Sequence, residues 1–338
     1  MDSLPEKFLC VTADILKKQL GVADEPQILI FDRQSPLSNL LANAYVQNMP
    51  KAEIINFDEW DPQEITQKLL VLPAGATVIL VQSRDFRLDD FRIRLKLFNN
   101  GVGCLEHTHL QYFYPEQYET YADALVFRGE YYKNLGIRLA EKIENSLETK
   151  IFSRDGSVLS FGKMEKCQVN HGLFSEQKNR GGGAICGEVF SEALDFSTVN
   201  GEMMVSCYPD KDLRIVVCKP FRVRIEKSML HCDDPLCPQD FRENILERIT
   251  REEEGEVMVR EAGFGLNPAI SIKTPLADVN AFERMAGFHL SLGKKHNIYR
   301  QKIHKKIVQR YHIDIFADLE RIEVDRVCVF EKGRYLLV

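Results

Sequence analysis

Between Gln27 and Asn100 the chain alternates short apolar runs with amphipathic ones, and few residues separate them. "QILIFD", "AEIINFD" and "ATVILVQS" read as buried strands, with "LSNLLANAYVQN", "PQEITQKLLVL" and "LDDFRIRLKLFNN" as the helices that follow each. Strand and helix in this alternation build βαβ units, and βαβ units build a parallel sheet with helices on its faces. The pattern predicts an α/β fold that opens with a Rossmann-like domain. A dinucleotide fold carries G-x-G-x-x-G after its first strand; "FDRQSP" stands there instead, so dinucleotide binding is not expected.

A fourth apolar segment, "GVGCLEHTHL", ends in His107 and His109. Ligands of open α/β sheets sit at the carboxyl ends of the strands. His107 and His109 are therefore candidate substrate-binding residues.

The pattern changes at Thr149. "KIFSRDGSVLSFG", "VNGEMMVSCYP" and "LRIVVCKPFRVRIEKSML" are strand-like and are broken by D-G, N-G and Pro turns, with a few helices such as "PQDFRENILERITREEEG". Two domains are expected: residues 1–148, Rossmann-like, and residues 149–338, a β-rich α+β domain.

With 44% hydrophobic and 28% charged residues in 338, the chain has the make-up of an ordinary globular protein. Its formal net charge of −6 gives no electrostatic reason to expect nucleic acid or an anionic membrane. The basic run from Leu292 to Arg310 reads first as a solvated face, with a substrate-facing or oligomer-facing patch as the alternative. The first residues, "MDSLPEKFLCVTADILKKQLGV", contain no long apolar stretch, and no later segment approaches a membrane span, so a cytoplasmic location is expected. Nine cysteines without framework spacing read as reduced thiols. His231, Cys232 and Cys237 are too loosely spaced for structural zinc and read as a turn.

Chemistry is concentrated further on. In "RYHIDIFADL", His312 and Asp314 stand two apart in a strand-like run and so share one face, about 6.6 Å apart along the backbone. Glu188 follows a glycine-rich approach in "GGGAICGEVF", Glu261 enters a glycine turn in "REAGFGLNPAI", and His289 lies in the apolar strand "AGFHLSLG". Each is ordinary taken singly. Together they make two histidines and three carboxylates, the donor inventory of a paired divalent metal centre.

The order Gly-Glu-Val-Phe, "VNG", "GFGLNP", "HLSLG" and His-x-Asp, from about Ser157 to Asp318, resembles the thermophilic metalloaminopeptidases of the aminopeptidase T and aminopeptidase S type. The resemblance implies that Glu188, Glu261, His289, His312 and Asp314 are the metal ligands. It also implies two divalent ions (zinc, cobalt or manganese), an enclosed site in a homodimer, and hydrolysis of a peptide or amide bond; Glu188 is a catalytic candidate as well as a ligand, and the resemblance leaves open which glutamate bridges and which takes the proton. The family's tyrosine, seven residues after the H-x-x-L-G histidine, is replaced by His296, with Tyr299 three residues further on; these two are the candidate catalytic donors. Ser191 and Glu192 stand where the family has Thr-Ala-Pro, and little chain separates His289 from His312. The same residues are similar to a related branch, 2,5-dihydroxypyridine dioxygenase, in which one non-haem iron opens an aromatic ring. There His289, His312 and Asp314 would form a facial triad.

Overall fold

Val, Ile and Leu crowd the short strands of the N-terminal half because a parallel sheet covered on both faces leaves neither face to water. The computed structural model describes residues 3–22, 25–84, 88, 93–251, 255–293, 299 and 312–337. Every residue of the Thr77–Val81 strand is buried. This strand is the middle one of a five-stranded sheet in the order Glu53–Asn56, Gln27–Phe31, Thr77–Val81, Gly103–His107 and Gly181–Gly183, each pair parallel.

Two of the intervening helices begin where the sequence supplies a cap followed by proline. Ser35 Oγ accepts the Ser38 N–H at 3.1 Å ahead of Pro36–Asn48, and Asp61 accepts the Gln63 N–H at 2.8 Å ahead of Pro62–Leu70. Each proline takes the first helical position, whose N–H would have no intrahelical partner. Ile65, Leu69 and Leu97 then close a core over Ile30, Val78 and Leu80. The α/β reading of the first domain is the architecture found.

Two units form, Met1–Glu130 together with His171–Cys186, and Tyr131–Asn170 together with Gly187–Val338. This sharing of the chain differs from a single cut between residues 148 and 149. The reason is the glycine triplet Gly181–Gly183, which pairs in parallel with Gly103–His107 and takes its flanking segment into the first unit.

The second unit is built on a sheet of 13 strands among the described residues, beginning at Thr149–Ser153 and antiparallel throughout. Its central strands run in the order Asn200–Pro209, His312–Ala317, Gly287–Gly293, Val259–Gly265 and Glu188–Ser191. Side chains alternate between faces. One face presents Val189, Phe264, Phe288, Leu290, Ile313 and Ile315 to the core, all buried, with the Phe264 and Phe288 rings edge to face at 5.3 Å. Among the described residues no helix is long and apolar enough to cross a membrane.

Candidate metal centre

The opposite face of the same four neighbouring strands carries the polar residues. Directly paired residues share a face, and the rows across the sheet run Glu188–Gly265–Gly287, Phe190–Gly263–His289–Phe316, Glu261–Ser291–Asp314 and Gly293–His312. A register shift between Val259 and Glu261 brings Glu261 opposite Ser291. The period of two thus brings Glu188, Glu261, His289, His312 and Asp314 to one face, although 126 positions separate the first from the last. Gly263, Gly265, Gly287 and Gly293 fill four of the places between them. Gly187 precedes Glu188 with φ +104°, a conformation that glycine adopts without strain, and its carbonyl accepts the Leu266 N–H at 2.9 Å.

Two sets of three side chains offer ligand atoms within 4.8 Å of one another: Glu188, Glu261 and His289, and Glu283, His289 and Asp314. His289 belongs to both. Its Nε2 lies 3.4 Å from Glu188 Oε1 and is a buried nitrogen with no hydrogen-bond partner among the described residues. His312 is in neither set; its half-buried ring places Nε2 3.5 Å from Asp314 Oδ1. Ser291 donates its single hydroxyl proton to Asp314 Oδ1 at 2.5 Å and stands 3.4 Å from Glu261 Oε1. Arg284 Nη1 lies 2.5 Å from Glu188 Oε2 and 2.8 Å from Glu283 Oε1.

So many carboxylates in one buried place perturb each other. Burial alone would raise Glu188, but the Arg284 guanidinium and then His289 outweigh it and hold this carboxyl below the usual range. Asp314 is likewise lowered against its burial, by His312 and His289 and by hydrogen bonds with Glu283 and Ser291. Glu261 goes the other way, raised well above the usual value by burial and then by repulsion from Glu188 and Asp314. Glu283 is raised by burial and by Glu188 and Asp314, in spite of Arg284. An unpartnered imidazole nitrogen beside mutually repelling carboxylates fits a divalent cation, which accepts nitrogen and oxygen donors and relieves the repulsion.

Glu283 and Arg284 were not among the residues singled out from the sequence. They follow the short Val279–Phe282 helix, off the strand alternation that marks the other donors. The adjacent charges of "AFERMAGFHL", isolated in apolar sequence just before the His289 strand, were the available signal.

The remaining candidates lie elsewhere or serve other ends. Tyr299 is buried, its hydroxyl donates to the Phe190 carbonyl at 3.1 Å, and burial followed by Glu261 pushes the phenol up. His296 lies outside the described residues. His107 ends a strand as expected, but it is fully buried: Tyr45 Oη meets its Nε2 at 2.8 Å and Tyr121 Oη its Nδ1 at 2.9 Å. Burial pushes this imidazole down to about 3, so the ring is a neutral packing element with no ring nitrogen left over for a ligand. His109, at φ 55°, stacks on Tyr112 with 4.9 Å between ring centroids and is also buried. His231, Cys232 and Cys237 belong to neither set of metal-type donors among the described residues.

No protein-family model matches the chain, and no curated protein does. Among solved structures it is similar to wild-type AmpT, an aminopeptidase T from Thermus thermophilus, with a TM-score of 0.64 at 12% identity over 99% of this chain and 100% of that one. It is similar as well to the 2,5-dihydroxypyridine dioxygenase of Pseudomonas putida KT2440, with a TM-score of 0.63 at 14% identity over 98% and 96%. At these identities the likeness is one of fold. The chain has the fold of an aminopeptidase and of a dioxygenase, and on it side-chain groups able to hold a metal ion.

Proposed function

We propose that the protein is a metal-dependent hydrolase of the aminopeptidase type, cleaving a peptide or amide bond. The observation that carries this reading is the convergence of Glu188, Glu261, His289 and Asp314 on one face, with His289 Nε2 buried and unpartnered. Glu188, Glu261, His289, His312 and Asp314 are the proposed ligands; zinc, cobalt and manganese suit the mixed nitrogen and oxygen donors. A bound divalent ion would lower the pKa of its water to about 7 and polarise the scissile carbonyl.

The chain's own residues supply the rest. Ser291 fixes Asp314 through its 2.5 Å hydrogen bond. Glu283 is less buried than Glu188, with 16% of its side chain exposed against 5%, and sits on a helical turn beside the sheet; we assign it to carry the proton between water and leaving amine. His296, in the place of the family's tyrosine counted from His289, is assigned as donor to the oxyanion. A homodimer belongs to the same reading.

The test is a library of short peptides with free and blocked N-termini, offered to metal-depleted protein before and after adding zinc, cobalt or manganese. Metal-restored release of N-terminal residues supports the proposal. A second reading, ring cleavage by one ferrous ion on His289, His312 and Asp314, is favoured by the dioxygenase fold likeness and the 3.5 Å approach of His312 to Asp314. Oxygen uptake with a dihydroxylated heteroaromatic under iron alone, with no peptide turnover, would select it.

A further inference from the structure

Arg284 sets a fixed positive charge against two carboxylates of this centre, and its position is specific. A single nitrogen, Nη1, reaches Glu188 at 2.5 Å and Glu283 at 2.8 Å, and these two carboxylates belong to different three-residue sets that meet at His289. The side chain is only 14% exposed. Guanidinium stays protonated in proteins, so this charge cannot be titrated away to make room for a metal ion.

A paired metal centre needs one cation at each set and a carboxylate shared between them. Here a carboxylate of each set already lies at ion-pair distance from the same cation. A second divalent ion would have to take Glu188 or Glu283 from the guanidinium and then remain beside it. We propose that Arg284 is a built-in cation that stands in for a second metal ion, so that the centre holds one divalent ion, at His289. This rests on the metal-centre reading and departs from the two ions that the sequence resemblance implies.

Manganese alone is the probe, because a hard ion ignores the nine thiols that would take up zinc. Chelator-stripped wild type, Arg284→Gln and Arg284→Lys are titrated with Mn²⁺, with stoichiometry read by native mass spectrometry and by the electron paramagnetic resonance of the bound ion. Wild type and Arg284→Lys should bind one equivalent with the six-line signal of an isolated ion. Arg284→Gln should bind two, the second within about tenfold of the first, with a spin-coupled signal. Two equivalents in the wild type overturn the proposal and leave the metal centre standing. One equivalent in a folded Arg284→Gln overturns it too. If Arg284→Gln does not fold, the wild-type count decides, with Arg284→Lys required to match it. No manganese in any folded variant removes the metal-centre reading, and the proposal falls with it.

Discussion

Gly263 lies directly opposite His289 across two antiparallel strands, and a Cβ built on it would stand 2.0 Å from the imidazole Nε2. The ring lies across the space that any other residue's side chain would fill. Its orientation is thus set by the absence of an atom on the neighbouring strand.

Gly263→Ala should therefore turn or displace the His289 ring while leaving the strand pairing intact. Metal affinity should fall about 10- to 100-fold, the usual size of an effect that reorients a ligand without removing it. Gly183→Ala, where a Cβ would meet nothing within 4 Å, is the control and should leave affinity unchanged. Equal affinity in both variants would show that the ring is not a ligand.

Loading the centre should release protons. Glu261 and Glu283 are raised well above the ordinary carboxylate range by burial and by the carboxylates beside them, in spite of Arg284, so both favour the protonated form to higher pH than a solvated carboxyl, and a metal must displace those protons. Affinity should rise with pH until both carboxyls are ionised in the free protein. Calorimetric titration at one pH in buffers of different ionisation enthalpy measures the release directly; heats independent of buffer would contradict it.

His107 should make the fold acid-sensitive. Its folded pKa is depressed from 6.5 to about 3, so the unfolded chain binds the extra proton between those values. The contribution is complete above about pH 6.5 and is lost as pH falls, at up to about 1.4 kcal/mol per pH unit. His107→Gln, which cannot charge, should lose stability at pH 7 yet show a flatter dependence between pH 7 and pH 4, read by urea unfolding. Metal content should not change.

Tyr299 and His296 should separate cleanly. Since the Tyr299 hydroxyl is buried and committed to the Phe190 carbonyl, Tyr299→Phe should cost about 1 kcal/mol of stability and leave turnover within a few fold. His296→Ala should lower kcat by about 10²–10³ if it supplies the oxyanion donor. The reverse pattern would move that role to the phenol.

What could be read from the sequence follows what is periodic. Buried parallel strands stand out as apolar runs, and His312 and Asp314 share a face because strand side chains repeat every two residues. Glu283 and Arg284 escape that rule because they sit on a helical turn. His107 misleads for a different reason: its end-of-strand position suggests a cleft, but the tyrosines that take both its nitrogens come from two helices, Tyr45 in Pro36–Asn48 and Tyr121 in Tyr118–Leu125, 62 and 14 residues away. The destination of "GGG" is equally non-local. Nothing within the triplet says that its partner is the strand Gly103–His107.

That triplet gives the chain a particular kind of indivisibility. The first 130 residues provide four strands of the parallel sheet, and the fifth arrives only after roughly forty residues of the other unit have been laid down. A fragment ending at Glu130 would leave the N–H and C=O groups of Gly103–His107 as a bare edge, open to pairing with another molecule. During synthesis the first sheet cannot be finished until the ribosome has passed Gly183. In inheritance, too, no single crossover can transplant either unit whole, because each is made of two stretches of chain that alternate with the other's.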